Sequence, residues 1–242
     1  MNLKNKIAIV TGGSSGIGQA ICIALAKEGC KVVFTYNSNE KGANETLKEL
    51  GEKGIKFNVD SRKEEDIKKL FEFVAKELKH LDILVNNAGK TLMGDNLDIK
   101  LWREVFDITL FPIIITTSEA IKLMNGMGKI LNISSIFGDD HANNKKFAPF
   151  GAAKAAMNNF TSTMAKNLAP GILVNAIIPG YVLTPLWGNM SEEDIKSNSS
   201  EQLINRFIKP EEIAEMSLAI IKNDAMTGEV VVVDGGLSLK TI

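Results

Sequence analysis

The chain alternates short apolar runs with longer stretches in which apolar residues recur every three or four positions. The short runs are rich in Val, Ile and Leu, and most are continuous rather than alternating with polar residues. This pattern predicts parallel strands that are covered on both faces. The predicted strands are Ile7–Val10, Val32–Thr35, Ile55–Val59, Ile83–Asn86, Ile130–Ser134, Leu173–Ile178 and Val230–Val233.

Amphipathic helical patterns lie between these strands. The predicted helices are Gly16–Glu28, Glu40–Lys53, Lys63–Lys79, Lys100–Met124, Ala152–Leu168 and Pro210–Lys222. Because strands and helices alternate, we expect an α/β fold with right-handed crossovers, a doubly wound parallel sheet of about seven strands with helices on both faces. One domain over residues 1–242 accounts for the whole pattern. The polar segment Leu186–Arg206 is interpreted as a mobile flap, roughly residues 186–207, with a plain surface helix and loop as the alternative.

Composition excludes several classes of partner. The 242 residues are 45% hydrophobic and 24% charged, which is typical of a globular protein. A formal net charge of −1 argues against a nucleic-acid partner. No apolar run approaches the roughly 18 residues that span a bilayer, and no signal peptide precedes the first strand. Cys22 and Cys30 are expected to be buried, reduced thiols in a cytoplasmic protein. His80 and His141 are isolated, so no metal site is predicted.

The clearest chemical signal is the turn Thr11-Gly12-Gly13-Ser14-Ser15-Gly16-Ile17-Gly18, which joins the first strand to the first helix. Glycines let a backbone turn tightly and come close to a pyrophosphate. The helix that follows offers free N–H groups and the positive end of its dipole to that anion. Because the turn lies within one strand–helix–strand unit, it predicts dinucleotide binding.

This turn resembles the TGxxxGxG motif of the short-chain dehydrogenase/reductase family, and of its 3-oxoacyl-carrier-protein reductases in particular. Further motifs follow in the family's order: Asp60, Asn86-Asn87-Ala88-Gly89, Ser134-Ser135, Pro179-Gly180 with Thr184, and the ending Thr227-Gly228-Glu229 through Asp234-Gly235-Gly236. The resemblance covers nearly the whole chain. It implies a Rossmann-type fold that transfers hydride between a nicotinamide dinucleotide and a carbonyl or hydroxyl substrate.

The turn and the resemblance together imply one set of dinucleotide contacts. Within it, Asp60 is expected at the adenine amine and Thr184 at the nicotinamide end. The full set is Gly12, Ser14, Ser15, Gly16, Ile17, Gly18, Tyr36, Asn37, Ser38, Asp60, Asn86, Ala88, Gly89, Ile133, Lys154, Pro179, Gly180, Val182 and Thr184.

The end of the second strand bears on the choice between NAD and NADP. A carboxylate there would bind the ribose 2′-hydroxyl and repel a 2′-phosphate. Tyr36, Asn37 and Ser38 supply none, and the last two could donate hydrogen bonds to a phosphate. Yet no Arg or Lys stands in this stretch, and Ser15 occupies a position that is basic in many NADP enzymes. NADP(H) is favoured over NAD(H), with the alternative that Asn37 and Ser38 only form a turn.

The reaction centre departs from the family's pattern. In the family, a tyrosine gives a proton to the substrate oxygen, and a lysine four residues later lowers the pKa of that tyrosine and holds the nicotinamide ribose. A serine binds the substrate oxygen, and an asparagine supports a proton relay. Ser135 and Lys154 match the serine and the lysine, but Phe150 stands at the tyrosine position and Thr109 at the asparagine position. A wider tyrosine–lysine spacing fails too, because it meets Phe147. Phenylalanine has no hydroxyl and cannot give a proton.

The missing hydroxyl leaves several interpretations open. The chain is an oxidoreductase whose acid comes from elsewhere, with His141, Tyr181 and the Asp139-Asp140 pair as candidates. Alternatively, Phe150 is an engineered substitution that traps a complex. In a third interpretation, the chain binds dinucleotide without turnover, as a sensor or as the partner of an active homologue. In a fourth, the pocket catalyses a dehydration or elimination.

The resemblance also implies an assembly. The predicted helices Lys100–Met124 and Ala152–Leu168 have more apolar surface than one face of a sheet needs. In similar proteins these helices form a dimer interface, and the tail Gly236–Leu239 resembles one that completes a second. We expect a homotetramer or homodimer that acts on a small carbonyl or alcohol substrate. The loops Lys90–Asn96, Gly138–Pro149 and Leu186–Arg206 would select that substrate, but they carry no motif that names it.

Overall fold

Seven parallel strands form one sheet in the computed structural model, which describes residues 1–139 and 146–239. The strands are β1 (Ile7–Val10), β2 (Lys31–Tyr36), β3 (Gly54–Asn58), β4 (Ile83–Asn86), β5 (Gly128–Ile133), β6 (Ile172–Pro179) and β7 (Val230–Val233). Their order across the sheet is β3-β2-β1-β4-β5-β6-β7, and each neighbouring pair is parallel. The predicted doubly wound sheet is confirmed.

Eight α-helices within the described part of the chain connect and cover these strands. They are α1 (Gly16–Lys27), α2 (Glu40–Leu50), α3 (Glu64–Glu77), α4 (Ile99–Thr109), α5 (Phe111–Leu123), α6 (Ala148–Leu168), α7 (Glu192–Glu201) and α8 (Pro210–Lys222). Every residue of β1, β4 and β5 is buried, because apolar clusters pack on both faces of the sheet. Leu25 of α1 and Ile213 of α8 belong to one cluster, and Ile67 of α3 and Ala120 of α5 to the other.

The prediction of one helix over residues 100–124 was wrong. α4 ends at Thr109, Leu110 (φ −105°, ψ −53°) lies between the two helices, and α5 starts at Phe111. Pro112 lies in the first turn of α5, where its missing N–H breaks no helical hydrogen bond. Inside a continuous helix the same proline would remove a hydrogen bond and clash with the preceding turn, so the chain breaks here although the apolar spacing continues.

The other boundaries differ from the predictions by at most three residues, apart from two larger differences. α6 begins at Ala148 rather than Ala152, because Pro149 is well suited to a first helical turn. The segment interpreted as a flap contains α7, which Ser191 and Asp194 cap reciprocally and in which no residue is buried. Its structure matches the alternative of a surface helix, and its mobility stays a prediction.

A chain of buried side-chain hydrogen bonds crosses the core next to the carboxyl ends of β4 and β5. Thr116 donates to Asn86 (2.7 Å), Asn86 donates to Asn132 (2.9 Å), and Asn132 donates to Thr161 (2.9 Å). All four side chains are buried, so their polar groups need these partners. The side chain of Asn86, a predicted dinucleotide contact, is therefore engaged in holding β4 to β5.

Candidate active site

The glycine turn lies where the strand order reverses. Crossovers run to opposite sides from β1 and from β4, and open α/β sheets bind ligands beside such a point, at the carboxyl ends of the strands. The segments that follow β1 and β4 are joined there. Asn87 Nδ2 donates to the carbonyl oxygens of Thr11 (2.9 Å) and Gly12 (3.1 Å), and Thr11 Oγ1 accepts from the amides of Asn87 and Ala88. These bonds hold the floor of the candidate site rigid.

The turn has the geometry that a pyrophosphate needs. Gly12 has a φ of +69°, which side chains rarely adopt, and a Cβ on Gly18 would overlap the carbonyl oxygen of Gly12. Ser15 precedes α1, and its side chain makes no capping hydrogen bond. The first amides of α1 are therefore left to bind an anion, with the helix dipole behind them. The predicted residues Ser14, Gly16 and Ile17 belong to the same turn.

A second residue supports the turn, and the sequence predictions missed it. Asn39 Oδ1 accepts from the amide of Gly42 (3.1 Å) and caps α2, while Asn39 Nδ2 donates to the carbonyl oxygen of Ser14 (3.2 Å). A Cβ on Gly42 would overlap that same carbonyl, so α2 packs directly on the turn. The only sequence signal was an Asn at a helix start.

Asn39→Ala should therefore affect both stability and dinucleotide binding. Loss of an N-cap costs about 1 kcal/mol of folding free energy, and the turn also loses its tie to α2. We expect a lower urea midpoint and weaker dinucleotide binding in a fluorescence titration. Asp98→Ala is the matched control, because Asp98 caps α4 by accepting from the Lys100 amide (2.9 Å). A control that loses as much affinity as Asn39→Ala would contradict the specific role of Asn39.

A small cavity lies beside the turn. Its walls mix apolar and polar groups and include Thr11, Thr35, Val59, Ser61, Ala88 and Ile113. Asp60, predicted at the adenine amine, follows Val59. Arg62 binds both of its carboxylate oxygens (2.9 and 2.7 Å), and these hydrogen bonds hold the pKa of Asp60 below its usual range. Asp60 therefore stays an ionised hydrogen-bond acceptor, which Arg62 already engages.

The end of β2 has a basic neighbour that the sequence predictions missed. Asn37 and Ser38 are exposed there, after Tyr36. The Lys56 ammonium lies 5.3 Å from the centroid of the Tyr36 ring, 2.6 Å from Asn44 Oδ1 and 3.3 Å from Glu40 Oε1. Lys56 belongs to β3, where it pairs with Phe34 of β2, so its side chain shares a face with Tyr36. Only the pairing of two strands reveals this proximity.

The segment after β6 returns to the glycine turn. A Cβ on Gly16 would lie 3.0 Å from Thr184 Cγ2, so these two predicted residues are neighbours. Val182 pairs with Ile208 in an isolated β-bridge, which fixes the path of the backbone just before Thr184. The structure thus brings four predicted residues of the nicotinamide side to the same edge, namely Pro179, Gly180, Val182 and Thr184.

Two predicted catalytic residues, Ser135 and Lys154, lie near the carboxyl end of β5. Lys154 is buried, and its Nζ donates to the carbonyl oxygen of Ile133 (2.7 Å). Burial lowers the pKa of Lys154 to about 7, because the charged form loses its hydration. Nζ also lies 5.6 Å from the centroid of the Phe150 ring, one turn earlier on α6. Ser135 Oγ accepts from the amide of Phe137 (3.3 Å), so its hydroxyl hydrogen can serve a ligand.

A close approach of two elements fixes this arrangement. A short 3₁₀ turn, Ile136–Gly138, follows Ser135 and packs on α6. A Cβ on Gly138 would lie 2.7 Å from Lys154 Cβ, so only glycine permits the contact. Thr109, at the predicted asparagine position, ends α4 and is fully buried. Its hydroxyl has no hydrogen-bond partner within residues 1–139 and 146–239.

Of the candidate residues that could replace the tyrosine acid, Tyr181 and Asp139 belong to the described residues. Tyr181 is buried against Phe137 and Trp187 in edge-to-face contacts. Burial, together with the nearby Glu201 carboxylate, raises the pKa of Tyr181, which makes it a weaker acid. Asp139 follows the 3₁₀ turn, whereas Asp140 and His141 lie outside the described residues.

Three further features concern ligands and surroundings. Cys22 and Cys30 are both free and buried, as predicted. No group of three His, Cys, Asp or Glu side chains that could hold a metal occurs in residues 1–139 and 146–239. None of the helices in these ranges has the length and apolar character needed to cross a membrane.

A glycine turn and a buried lysine at one edge of a seven-stranded parallel sheet define a dinucleotide-dependent oxidoreductase of the Rossmann type. The family model described as short chain dehydrogenase matches residues 6–195, and the chain belongs to that family of NAD(P)-dependent oxidoreductases. The predicted resemblance is confirmed.

Relatives with different substrates are similar to the chain over nearly its whole length. The 3-oxoacyl-[acyl-carrier-protein] reductase FabG of Aquifex aeolicus is 37% identical, over 98% of this chain and 99% of that protein. The diacetyl reductase [(S)-acetoin forming] of Staphylococcus epidermidis is 34% identical, over 96% and 98%. The crystal structure of a point variant of the actinorhodin polyketide ketoreductase with NADPH superposes with a TM-score of 0.89 at 32% identity, over 97% of both chains.

Proposed function

We propose that this protein reduces a small carbonyl compound, or oxidises the matching alcohol, with NADP(H) as the preferred dinucleotide. The observation that carries the proposal is the buried amine of Lys154 beside Ser135, at the edge that also holds the glycine turn. When bound, the dinucleotide supplies or accepts the hydride. Ser135 donates a hydrogen bond to the substrate oxygen, and Lys154 provides positive charge where negative charge develops.

The preference for NADP(H) rests on charge at the end of β2. Residues 36–38 carry no carboxylate that would repel a 2′-phosphate, and the Lys56 ammonium, which pairs with Glu40 (3.3 Å), lies beside Tyr36. Asn37 and Ser38 are exposed and free to turn toward a phosphate. The NADPH in the polyketide ketoreductase structure favours the same dinucleotide.

The first experiment is a fluorescence titration of the purified protein with NADPH and with NADH. We expect NADPH to bind at least ~10-fold more tightly, a difference of about 1.4 kcal/mol. Turnover is then measured with diketones, 3-oxoacyl thioesters and cyclic ketones, the substrate classes that the names of the relatives suggest. If dinucleotide binds but none of these substrates is turned over, the alternative of a non-catalytic sensor or partner subunit is favoured. The absence of a hydroxyl at Phe150 is consistent with that alternative. If neither dinucleotide binds, the proposed function is wrong.

The assembly proposed from the resemblance has surface features that support it. Exposed apolar side chains cluster on α4, on α5 and in the loop before them, among them Leu97, Ile99, Phe111 and Ile114. Val232 on β7, an edge strand of the sheet, and Leu239 after it are also exposed. Two such patches on one chain suit a homotetramer. Light scattering at micromolar concentration should give four times the chain mass of 26.3 kDa, and a monomer would contradict the proposal.

Three features complete the proposal. Residues 1–242 form one dinucleotide-binding domain, with residues 186–207 as a flap beside the substrate. The rings of Phe137, Tyr181 and Trp187 pack together next to that segment and favour a substrate with an apolar part. The cytoplasmic location stays a prediction.

A further inference from the structure

Within residues 1–139 and 146–239, the contacts of the Lys154 amine are with groups that neither give nor take a proton near neutral pH. They are the carbonyl oxygen of Ile133, Met157 Sδ at 4.0 Å and the Phe150 ring. After β4, Gly89 comes close to the amine, since a Cβ on Gly89 would lie 4.0 Å from Nζ. Gly89 is exposed and has no side chain, so a small polar group of a ligand can approach the amine from there.

Charged residues on the surrounding elements do not account for the state of this amine. Among the described residues they include Lys90 after Gly89, Arg103, Glu104 and Asp107 on α4, Asp139 after the 3₁₀ turn and Lys146 before α6, with Tyr181 after β6. Burial alone lowers the pKa of Lys154, to about 7. Near neutral pH the amine therefore exists in both protonated and neutral forms, which is the condition for efficient acid–base catalysis.

We propose that Lys154 is itself the catalytic acid, its ammonium giving the substrate oxygen the proton that a tyrosine gives elsewhere in the family. The inference rests on the proposed function and names the acid for that reaction. Phe150 is consistent with this role, because its ring excludes water from the amine and places no hydroxyl between the amine and the substrate oxygen.

The proton balance of this step is simple. As a hydride from the reduced nicotinamide dinucleotide reaches the carbonyl carbon, the C=O π electron pair moves to oxygen. An N–H bond of the Lys154 ammonium breaks and an O–H bond forms, which leaves an alcohol and a neutral amine. The amine then takes a proton from water. In the oxidation direction, the neutral amine accepts the alcohol proton.

This chemistry predicts mirrored pH profiles. Reduction needs the ammonium, so its kcat/KM should fall tenfold per pH unit above the pKa of Lys154, near 7. Oxidation needs the neutral amine, so its kcat/KM should rise with pH and level off above the same value. A second readout does not depend on turnover. The ¹³Cε resonance of Lys154 in lysine-labelled protein, assigned by its absence in Lys154→Arg, should titrate with the same midpoint.

Lys154→Arg is the decisive variant. A guanidinium keeps the positive charge and the N–H donors but does not lose a proton in proteins. We expect kcat to fall ~10²–10⁴-fold in a protein that still binds dinucleotide saturably. Lys166→Arg is the matched control, an exposed lysine on the same helix, and should behave as the wild type. Lys154→Met, checked by circular dichroism, replaces the arginine variant if that one does not fold.

The outcomes separate this inference from the proposed function. Wild-type turnover that survives in Lys154→Arg with an unchanged pH profile would overturn the inference alone. The inference would also be overturned if the loss of reduction rate at high pH disappeared in His141→Gln. That result would make His141 the proton donor. A third outcome would overturn both the inference and the proposed function. In it, the wild type binds dinucleotide but does not turn over, and Phe150→Tyr restores turnover.

Discussion

Phe150→Tyr is expected to raise the rate of carbonyl reduction by about 10²–10⁴-fold if the wild-type pocket lacks a general acid, and by much less if Lys154 already fills that role. Phe150 lies in the first turn of α6 and is 8% exposed, and a tyrosine ring differs from it by one hydroxyl. The Lys154 ammonium, 5.6 Å from the ring centroid, would favour the phenolate and so lower the pKa of the new hydroxyl. The enzyme would then hold the acid that its family uses.

Steady-state rates of both proteins, with the same dinucleotide and the same carbonyl substrates, test this expectation. Phe147→Tyr is the matched control, because it places a hydroxyl one helical turn earlier, on a ring that stacks on Phe137 at 5.2 Å. We expect no acceleration from it. An equal gain in both variants would mean that any added hydroxyl suffices. No gain from Phe150→Tyr would mean that the wild-type pocket is already complete, or that its chemistry needs no proton from this position.

Lys154→Met is expected to make the protein more stable by about 3 kcal/mol at neutral pH, with activity lost. The Lys154 pKa falls from 10.5 to about 7 on folding because the amine is buried without a charged partner among its described contacts. Between these values the unfolded chain carries more protons than the folded one, so stability increases as the pH rises through that window. Methionine removes the buried charge but also the hydrogen bond to Ile133, worth about 1 kcal/mol.

Urea unfolding at several pH values measures this effect. The gain should be largest at pH 7 and below, and should shrink by about 1.4 kcal/mol per unit as the pH rises toward 10.5. Lys129→Met is the control, since Lys129 is also buried but pairs with Asp224 (2.8 Å) and donates to the carbonyl oxygen of Asn223. It should lower stability or leave it unchanged. A Lys154→Met protein no more stable than the wild type would show that Lys154 is hydrated or paired in solution.

The sequence predicted the fold well because the relevant signals are local. A continuous apolar strand or a glycine turn between a strand and a helix can be identified from adjacent residues. The main error, one helix over residues 100–124, arose because the apolar spacing continues through Pro112. The break depends on where the proline falls relative to a helix start, which the spacing does not reveal.

The features that the sequence did not reveal depend on contacts between elements. Lys56 reaches Tyr36 only because β3 pairs with β2, and Asn39 supports Ser14 only because α2 packs on the turn. The hydrogen bonds between Arg62 and Asp60 join near neighbours in the sequence. The residue types alone did not show whether Asp60 would bind Arg62 or an adenine. The isolation of the Lys154 amine is likewise a property of packing, since its neighbours come from three segments of the chain.

Trp187 gives the protein a built-in optical reporter. Its indole N–H donates to the carbonyl oxygen of Val182 (2.8 Å), and its ring meets Tyr181 and Phe207 edge-on at 5.2 Å, next to the segment that ends at Thr184. The chain has only one other tryptophan, Trp102 on α4. Indole emission overlaps the absorption of reduced nicotinamide, so Trp102→Phe would leave a single donor close to the proposed nicotinamide position. Arrival and departure of the reduced dinucleotide, and any movement of the segment around Trp187, would then be recorded by one emission band without an added dye.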